Sequence, residues 1–240
     1  MDFRCKNFSL NHLQSSMKVG TDAILLSSVV AKYLENTIKP TNILDIGTGC
    51  GIIAMCMADV FEKAEVVAID IDHQSIVEAT SNFINSPFSQ RMTAQYIAIQ
   101  KFADKTEEKF DLIVSNPPFF TASLHSPDIR RTTSRHNNSL SLSDFVITTS
   151  KLVTDSGHIA VILPEKEMEE LILLFDSHEI YPILKVSVFA KPITRINRII
   201  CVFSKLITQK NETSLQSLYI RTSTNEYSRV YRDLTSRFLL

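Results

Sequence analysis

Apolar residues in this chain gather into short blocks broken by polar or glycine-bearing stretches, and the blocks alternate between two periods. The run Ile43-Leu44-Asp45-Ile46 stops at Gly47 and reads as a buried strand. A helix is predicted over 52–61, a strand over 66–69 ending at Asp70, and a helix over 73–85. Residues 96–99 read as a weak strand and 110–114 as a strong one. A helix follows over 141–153 with Ser141 or Ser143 as its N-cap, then a strand over 158–163 and a helix over 165–175. Residues 180–189 and 196–203 read as two strands with no helix between them. Repeated β-α units predict a mostly parallel sheet with helices on both faces. The last pair predicts an antiparallel C-terminal edge hairpin.

Composition narrows the class. A chain of 240 residues with 44% hydrophobic content buries a sizeable core, and one α/β domain of this length is common. No apolar run approaches the ~20 residues of a membrane span, and residues 1–11 lack the apolar centre of a signal peptide. Cys5, Cys50, Cys56 and Cys201 are scattered, so neither a metal centre nor a disulfide is expected, and a reducing cytoplasm fits best. Net charge is −1, but residues 185–240 carry ten Lys/Arg against three Asp/Glu, while residues 1–184 carry 15 against 23. That asymmetry points either to a polyanion contact at the basic end or to a solvated basic face.

Candidate chemistry collects at predicted strand ends, where open α/β sheets bind ligands. Asp45-Ile46-Gly47-Thr48-Gly49-Cys50-Gly51 spends three of the chain's five glycines in five positions. Glycines let a backbone approach a ligand closely. The pattern is not a dinucleotide fingerprint, because Ile52 stands where the third glycine would fall. Asp70, nineteen residues past Gly51, is placed to accept both hydroxyls of a ribose, whereas Asp72 is expected to begin the next helix. Asn116-Pro117-Pro118-Phe119 follows the strongest strand. Two prolines stiffen that strand end and leave carbonyls free, beside an amide and an aromatic ring: a set suited to holding a flat, nitrogen-bearing group. The segment from Phe120 to Asn138 contains Arg130, Arg131, Arg135 and His136 with Asp128 as its only acid, so its cations suit phosphates, the alternative being an ordinary surface loop.

The D-x-G-x-G-x-G run resembles the first motif of class I S-adenosylmethionine-dependent methyltransferases, and Asn116–Phe119 is similar to the motif of enzymes methylating adenine, cytosine or glutamine amides. Together with Met17-Lys18-Val19-Gly20-Thr21-Asp22, Arg135-His136 and the tail Asn225-Glu226-Tyr227-Ser228 ending in Phe238-Leu239, the chain resembles the bacterial tRNA1(Val) adenine-N6 methyltransferase family over nearly its whole length. The resemblance implies a Rossmann-like α/β fold with a seven-stranded sheet. It implies a single methyltransferase domain over 1–240, with a 1–40 extension, a 41–206 core and a 207–240 basic strand and helix. It implies S-adenosyl-L-methionine as methyl donor, S-adenosyl-L-homocysteine as product, and tRNA as partner, with adenine(37) of tRNA1(Val) as target; no membrane and no obligate protein partner are expected.

By the same resemblance Asp45, Gly47, Thr48, Gly49, Gly51, Asp70, Ile71, Ile99 and Asn116 bind the cofactor, and Lys18 and Thr21 lie near its methionine end together with Asp22. Asn116, Pro117, Pro118 and Phe119 are the catalytic set; Phe119, Phe120, Arg130, Arg131, Arg135 and His136 face the substrate. Many relatives place an acid after the third strand to meet the cofactor adenine; this chain has Ala98, which leaves adenine to backbone groups, Ile71 and Ile99, with Gln100 as a substitute polar contact. A protein glutamine N5-methyltransferase and a catalytically idle RNA- or cofactor-binding module are the competing readings. The basic tail and the lack of a separate N-terminal helical domain count against the first, and the intact Asn116, Gly47, Gly49 and Gly51 against the second.

Overall fold

The computed structural model describes residues 2–15, 17–117, 140–206 and 213–240. Strands β1 (Asp2–Arg4) and β2 (Ser9–Asn11) form an antiparallel pair ahead of helix α1 (Thr21–Leu34). The chain then alternates: β3 (Asn42–Ile46), α2 (Ile52–Val60), β4 (Glu65–Asp70), α3 (His73–Ile84), β5 (Met92–Tyr96), α4 (Ile99–Lys105) and β6 (Phe110–Ser115). After the segment that is not described come α5 (Leu142–Leu152), β7 (Val153–Leu163), α6 (Glu165–Asp176), β8 (Tyr181–Phe189), β9 (Ile196–Ser204), β10 (Ser214–Tyr219) and α7 (Arg229–Thr235).

The main sheet has the order β10-β8-β9-β7-β6-β3-β4-β5. Pairings among β3 to β7 are parallel, and β9 runs antiparallel to both β7 and β8. The apolar runs have no polar face because both sides of the sheet are covered. Ile43, Leu112, Val114, Ala160 and Ile162 face a core closed by α1, α2, α3 and α7. Their neighbours Leu44, Ile113, Ile159 and Val161 face a second core closed by α4, α5 and α6. The period-two alternation of a strand thus feeds two cores at once.

Two expectations change. The sheet has eight strands where seven are expected, because β10 pairs in parallel with β8 and places the β8–β9 hairpin inside the edge. Only Leu218 of β10 is buried, so its apolar pattern is too weak to announce sheet membership. The weak strand expected at 96–99 lies instead at Met92–Tyr96, and Ile99 begins a helix. β5 is the opposite edge strand, mostly exposed past Met92, so burial leaves little apolar signal there.

The N-terminal segment is held by two polar side chains of α3. The Glu78 carboxylate accepts the backbone N–H groups of Leu13, Gln14 and Ser15 at 2.7, 3.0 and 2.8 Å. Asn82 accepts the N–H of Asn11 and donates to the carbonyls of Asn11 and Cys50. His12 Nδ1 then accepts the N–H of Val19 at 3.0 Å, which sets the chain direction into α1. The C-terminus is tied to the same layer: Arg237 donates to both carboxylate oxygens of Glu35 and to the Asp59 carbonyl.

Gly51 is the tightest backbone position. It caps α2 at φ 89°, and a Cβ there would meet the Phe83 ring at 2.5 Å. Gly51→Ala is therefore expected to cost about 2–4 kcal/mol, from left-handed backbone strain plus overpacking. Gly20→Ala, with ordinary φ and its nearest atom at 3.9 Å, is expected to stay within about 0.5 kcal/mol. Thermal melts of the pair check this; equal melting temperatures would contradict it.

Burial pushes the Glu78 carboxyl up, but the N–H donors of Gln14, Ser15 and Leu13 outweigh it and hold its pKa below 4.5. An acid depressed in the folded state stabilises above its unfolded pKa and loses that contribution as pH falls through the folded value. Glu78→Gln is expected to lose about 1–3 kcal/mol at neutral pH. The gap from the parent protein should narrow below about pH 4.5, as denaturant titrations across pH would register.

Candidate active site

The strand order reverses between β3 and β6: the chain moves outward from β3 to β4 and β5, then returns to the other side of β3 as β6. Ligands in open α/β sheets bind outside the carboxyl ends at such a point. Here Ile46 pairs with Ser115, so Gly47 and Asn116 leave neighbouring strands side by side. The fully buried Ser115 hydroxyl donates to the Ile46 carbonyl at 2.7 Å and pins the two ends together.

The glycine loop takes its shape from positive φ at Gly47, Gly49 and Gly51 (74°, 56° and 89°). The N–H groups of Gly47 and Thr48 both bond to the Ile69 carbonyl, and Gly49 N–H donates to Asp70 Oδ2 at 2.9 Å. Asp70 Oδ1 accepts the Asp72 N–H at 2.8 Å. A carboxylate offers about four acceptor sites, so each Asp70 oxygen keeps capacity for a hydroxyl. Asp72 itself caps α3, accepting from Gln74 and Ser75, as its position in sequence implied.

Asp45 has no exposed surface. Its Oδ2 accepts the Thr48 hydroxyl at 2.7 Å and the Ala54 N–H at 3.1 Å, which ties the loop to the start of α2. Burial pushes its carboxyl up to about 7, against those two donors, and the charge of Asp70 adds to the rise. Asp70 is also raised, mainly by burial, with the N–H groups of Asp72 and Gly49 opposing. Two partly desolvated acids under one loop form a region where a cationic ligand relieves electrostatic cost.

A cleft of about 730 Å³ opens at these strand ends, within the range of small-molecule sites. It brings together Lys18, Thr21, Gly47, Thr48, Gly49, Asn116 and Pro117. Asp45 and Gly51 shape the loop from beneath, Gly51 facing Phe83. Asp70, Ile71 and Ile99 lie outside the cleft lining; Ile71 is 44% exposed and Ile99 is buried at the start of α4. Pro118, Phe119, Phe120, Arg130, Arg131, Arg135 and His136 fall outside the described residues.

The opposite wall was not foreseen as part of the site. Lys191, Asn197 and Arg198 from the β8–β9 hairpin, and Arg221, Asn225 and Tyr227 after β10, line the same cleft. Asp22 at the start of α1 accepts from Arg198 Nε at 2.8 Å across it. No local motif marks the hairpin residues; only the return of β8 and β9 beside β7 carries them there. Among the described residues no helix is long and apolar enough to cross a membrane, and no group of His, Cys, Asp and Glu could hold a metal ion.

Comparison with known proteins agrees with this geometry. The methyltransferase small domain family matches residues 16–139. A Flavobacterium psychrophilum protein named tRNA1(Val) (adenine(37)-N6)-methyltransferase is 32% identical, with 99% of each chain covered. Proteins of the same name from Flavobacterium johnsoniae (34%, 99% of each chain) and Parabacteroides distasonis (33%, 99% of this chain and 97% of that one) are equally similar. Among solved structures, a predicted O-methyltransferase from Agrobacterium tumefaciens superposes with a TM-score of 0.67 at 19% identity, covering 92% of this chain and 98% of that one. A precorrin-6y C5,15-methyltransferase from Geobacter metallireducens gives 0.51 at 11%, covering 82% and 91%. Those two share the fold alone. The full-length relatives and the glycine-loop cleft at the β3–β6 switch point establish that this chain belongs to the tRNA1(Val) (adenine(37)-N6)-methyltransferase family of class I S-adenosylmethionine-dependent methyltransferases.

Proposed function

We propose that the protein methylates the exocyclic N6 amine of an adenine in tRNA, taking adenine(37) of tRNA1(Val), the target its relatives are named for, in the cytoplasm. One observation carries this reading: Gly47 and Gly49, on the loop after β3, share a cleft with Asn116 and Pro117, on the adjoining end of β6. S-adenosylmethionine supplies an electrophilic methyl group on a sulfonium when bound. The residues present fit that cofactor. Gly47 and Gly49 keep the loop free of side chains, and a Cβ at Gly49 would stand 4.0 Å from the Met17 carbonyl, partly filling the space between them. The fully buried Asp45 and the half-buried Asp70, both raised, favour a positively charged occupant. Asp70 is the group to hold ribose hydroxyls; Lys18 and Thr21 close the methionine end.

An adenine amine is a weak nucleophile because its lone pair is delocalised into the ring. The Asn116 side-chain oxygen and the Pro117 carbonyl each accept one of its N–H bonds, which draws the nitrogen toward tetrahedral geometry and localises the lone pair. Pro117 has a fixed φ, and the proline that follows it restricts its ψ to the extended range, so its carbonyl is held without rearrangement. The product nitrogen is positively charged and sheds its proton to water, so the site needs no strong base. Most of the rate comes from alignment of nitrogen with the methyl group. A base inside a stacked helix does not reach such a cleft; the target is presented unstacked, as in a loop.

Asn116→Ala is expected to keep S-adenosylmethionine binding within a few-fold and to lower kcat by about 10²–10³, as removal of a positioned polar group does elsewhere. Transfer of radiolabelled methyl to deproteinised tRNA, followed by nucleoside mass spectrometry for N6-methyladenosine, tests the reading. Label appearing only in protein would replace it with a glutamine methyltransferase, and label in neither would favour an idle module. Near-normal turnover by Asn116→Ala would remove that residue from its role.

A further inference from the structure

The cleft wall opposite the glycine loop contains an aromatic–cation pair to which the proposed reaction gives no role in holding the cofactor or the amine. Beyond β10 the chain continues along β8, with Ile220 N–H donating to the Phe189 carbonyl and Arg221 N–H to the Ala190 carbonyl. It turns back at 222–226, where Thr222 N–H bonds to the Glu226 carbonyl and Asn225 adopts φ 72°. Arg221 and Tyr227 then face each other as an antiparallel bridge. Ser228 fixes the exit: its N–H bonds to the Ile220 carbonyl and its hydroxyl accepts the Tyr231 N–H, capping α7. The turn is therefore held mainly by backbone bonds, with the Ser228 hydroxyl at its exit.

On this support the Arg221 guanidinium lies over the Tyr227 ring, 4.3 Å from its centroid, and donates to the Asn225 carbonyl at 2.8 Å. Tyr227 in turn stacks on Tyr231 at 4.9 Å with 16° between planes. Tyr231 is 6% exposed and anchors the stack in the core, whereas Tyr227 is 46% exposed at the cleft. Arg198, Lys205, Arg229 and Arg237 of the basic C-terminal part have acidic partners at 4 Å or less, but Arg221 makes no ion pair among the described residues.

We propose that Arg221 and Tyr227 form a substrate-binding site for the nucleotide beside the target adenine: one face of the Tyr227 ring rests on Tyr231 and the other carries Arg221, so the base stacks on the outer face of the Arg221 guanidinium and the phosphate meets its N–H edge. The inference rests on the tRNA reading given above. An RNA strand that delivers one unstacked base to Asn116 must lead its neighbour out along the cleft, and the Arg221–Tyr227 pair lines that same cleft. A guanidinium already seated on a stacked ring and bonded to the Asn225 carbonyl is preorganised and loses little side-chain freedom on binding. Bases stack on aromatic faces and guanidinium planes irrespective of sequence, so the pair would add affinity and register, while recognition of adenine stays with Asn116 and Pro117. A merely structural pair would instead be expected to govern stability.

Steady-state methylation of an unmodified tRNA transcript with the full chain tests this. Tyr227→Ala removes the ring that supports the guanidinium and is expected to raise the KM for tRNA about 5- to 100-fold, the range of a lost base stack. The kcat, cofactor affinity and melting temperature should stay near the parent values, and Tyr227→Phe should restore KM. Arg221→Gln leaves the ring in place and is expected to raise KM while reducing the slope of log KM against log salt by about one phosphate contact. A tRNA KM within twofold of the parent for Tyr227→Ala, in a parent protein that methylates tRNA, overturns the inference alone. So does a KM change that appears only with loss of cofactor binding or melting temperature in both variants. A parent protein that methylates no RNA overturns the tRNA reading and this inference with it.

Discussion

The parallel pairing of β3 with β6, locked where Ser115 donates to the Ile46 carbonyl, is the constraint on which the site depends. The two strands are far apart in sequence, with β4 and β5 between them in the chain and outside them in the sheet. Their ends meet only because both strands are buried on two faces, where a register slip of one residue would move Leu112, Ile113 and Val114 each into the wrong core. That cost fixes the register, and the register sets Gly47 beside Asn116. Precision in the cleft is therefore inherited from apolar packing some distance beneath it.

Polar interactions act at a later step, shaping what the register has brought together. Asp45 and Asp70 are both raised by burial, yet each accepts hydrogen bonds from the loop, Asp45 from Thr48 and Asp70 from Gly49. The loop accordingly needs left-handed glycines to turn the Gly49 N–H toward Asp70 and the Thr48 hydroxyl toward Asp45. Placing carboxylates where water is scarce is unfavourable for stability, and groups perturbed in this way cluster at functional sites. Glu78 illustrates the contrast. Its three N–H donors hold it ionised, so its contribution is structural, anchoring the segment that carries Lys18 and Thr21 to the rim.

Much of the parallel half of the fold is legible in the sequence because strands buried on both faces write continuous apolar runs, such as 110–114 and 158–163. The glycine loop is legible for a related reason: few residue types tolerate positive φ, so the backbone requirement leaves a compositional mark. The two edge strands are not, since β5 and β10 bury little and their pairing is made by backbone groups that every residue has. The far wall of the cleft is the least legible part. Arg198 lies at the start of β9, Lys191 in the turn before it, and Arg221 and Tyr227 in the segment after β10, and no single helix or strand dictates the spacing among them.

The charge asymmetry of the chain divides along the same line. Read as a sequence, ten basic residues against three acidic ones at the C-terminal end leave a polyanion contact and a solvated face equally open. In the fold, Arg198 is neutralised by Asp22 across the cleft and Arg237 by Glu35 beneath it, so part of the excess is internal structure supplied with acids from the N-terminal part. Bulk charge then overstates the basic surface, and what matters is which cations lack acids and where they sit. Arg221 and Lys191 line the cleft itself without an ion pair among the described residues. A cation that neutralises a phosphate counts for most where the contact also fixes register, and least on a distant face, where salt screens it.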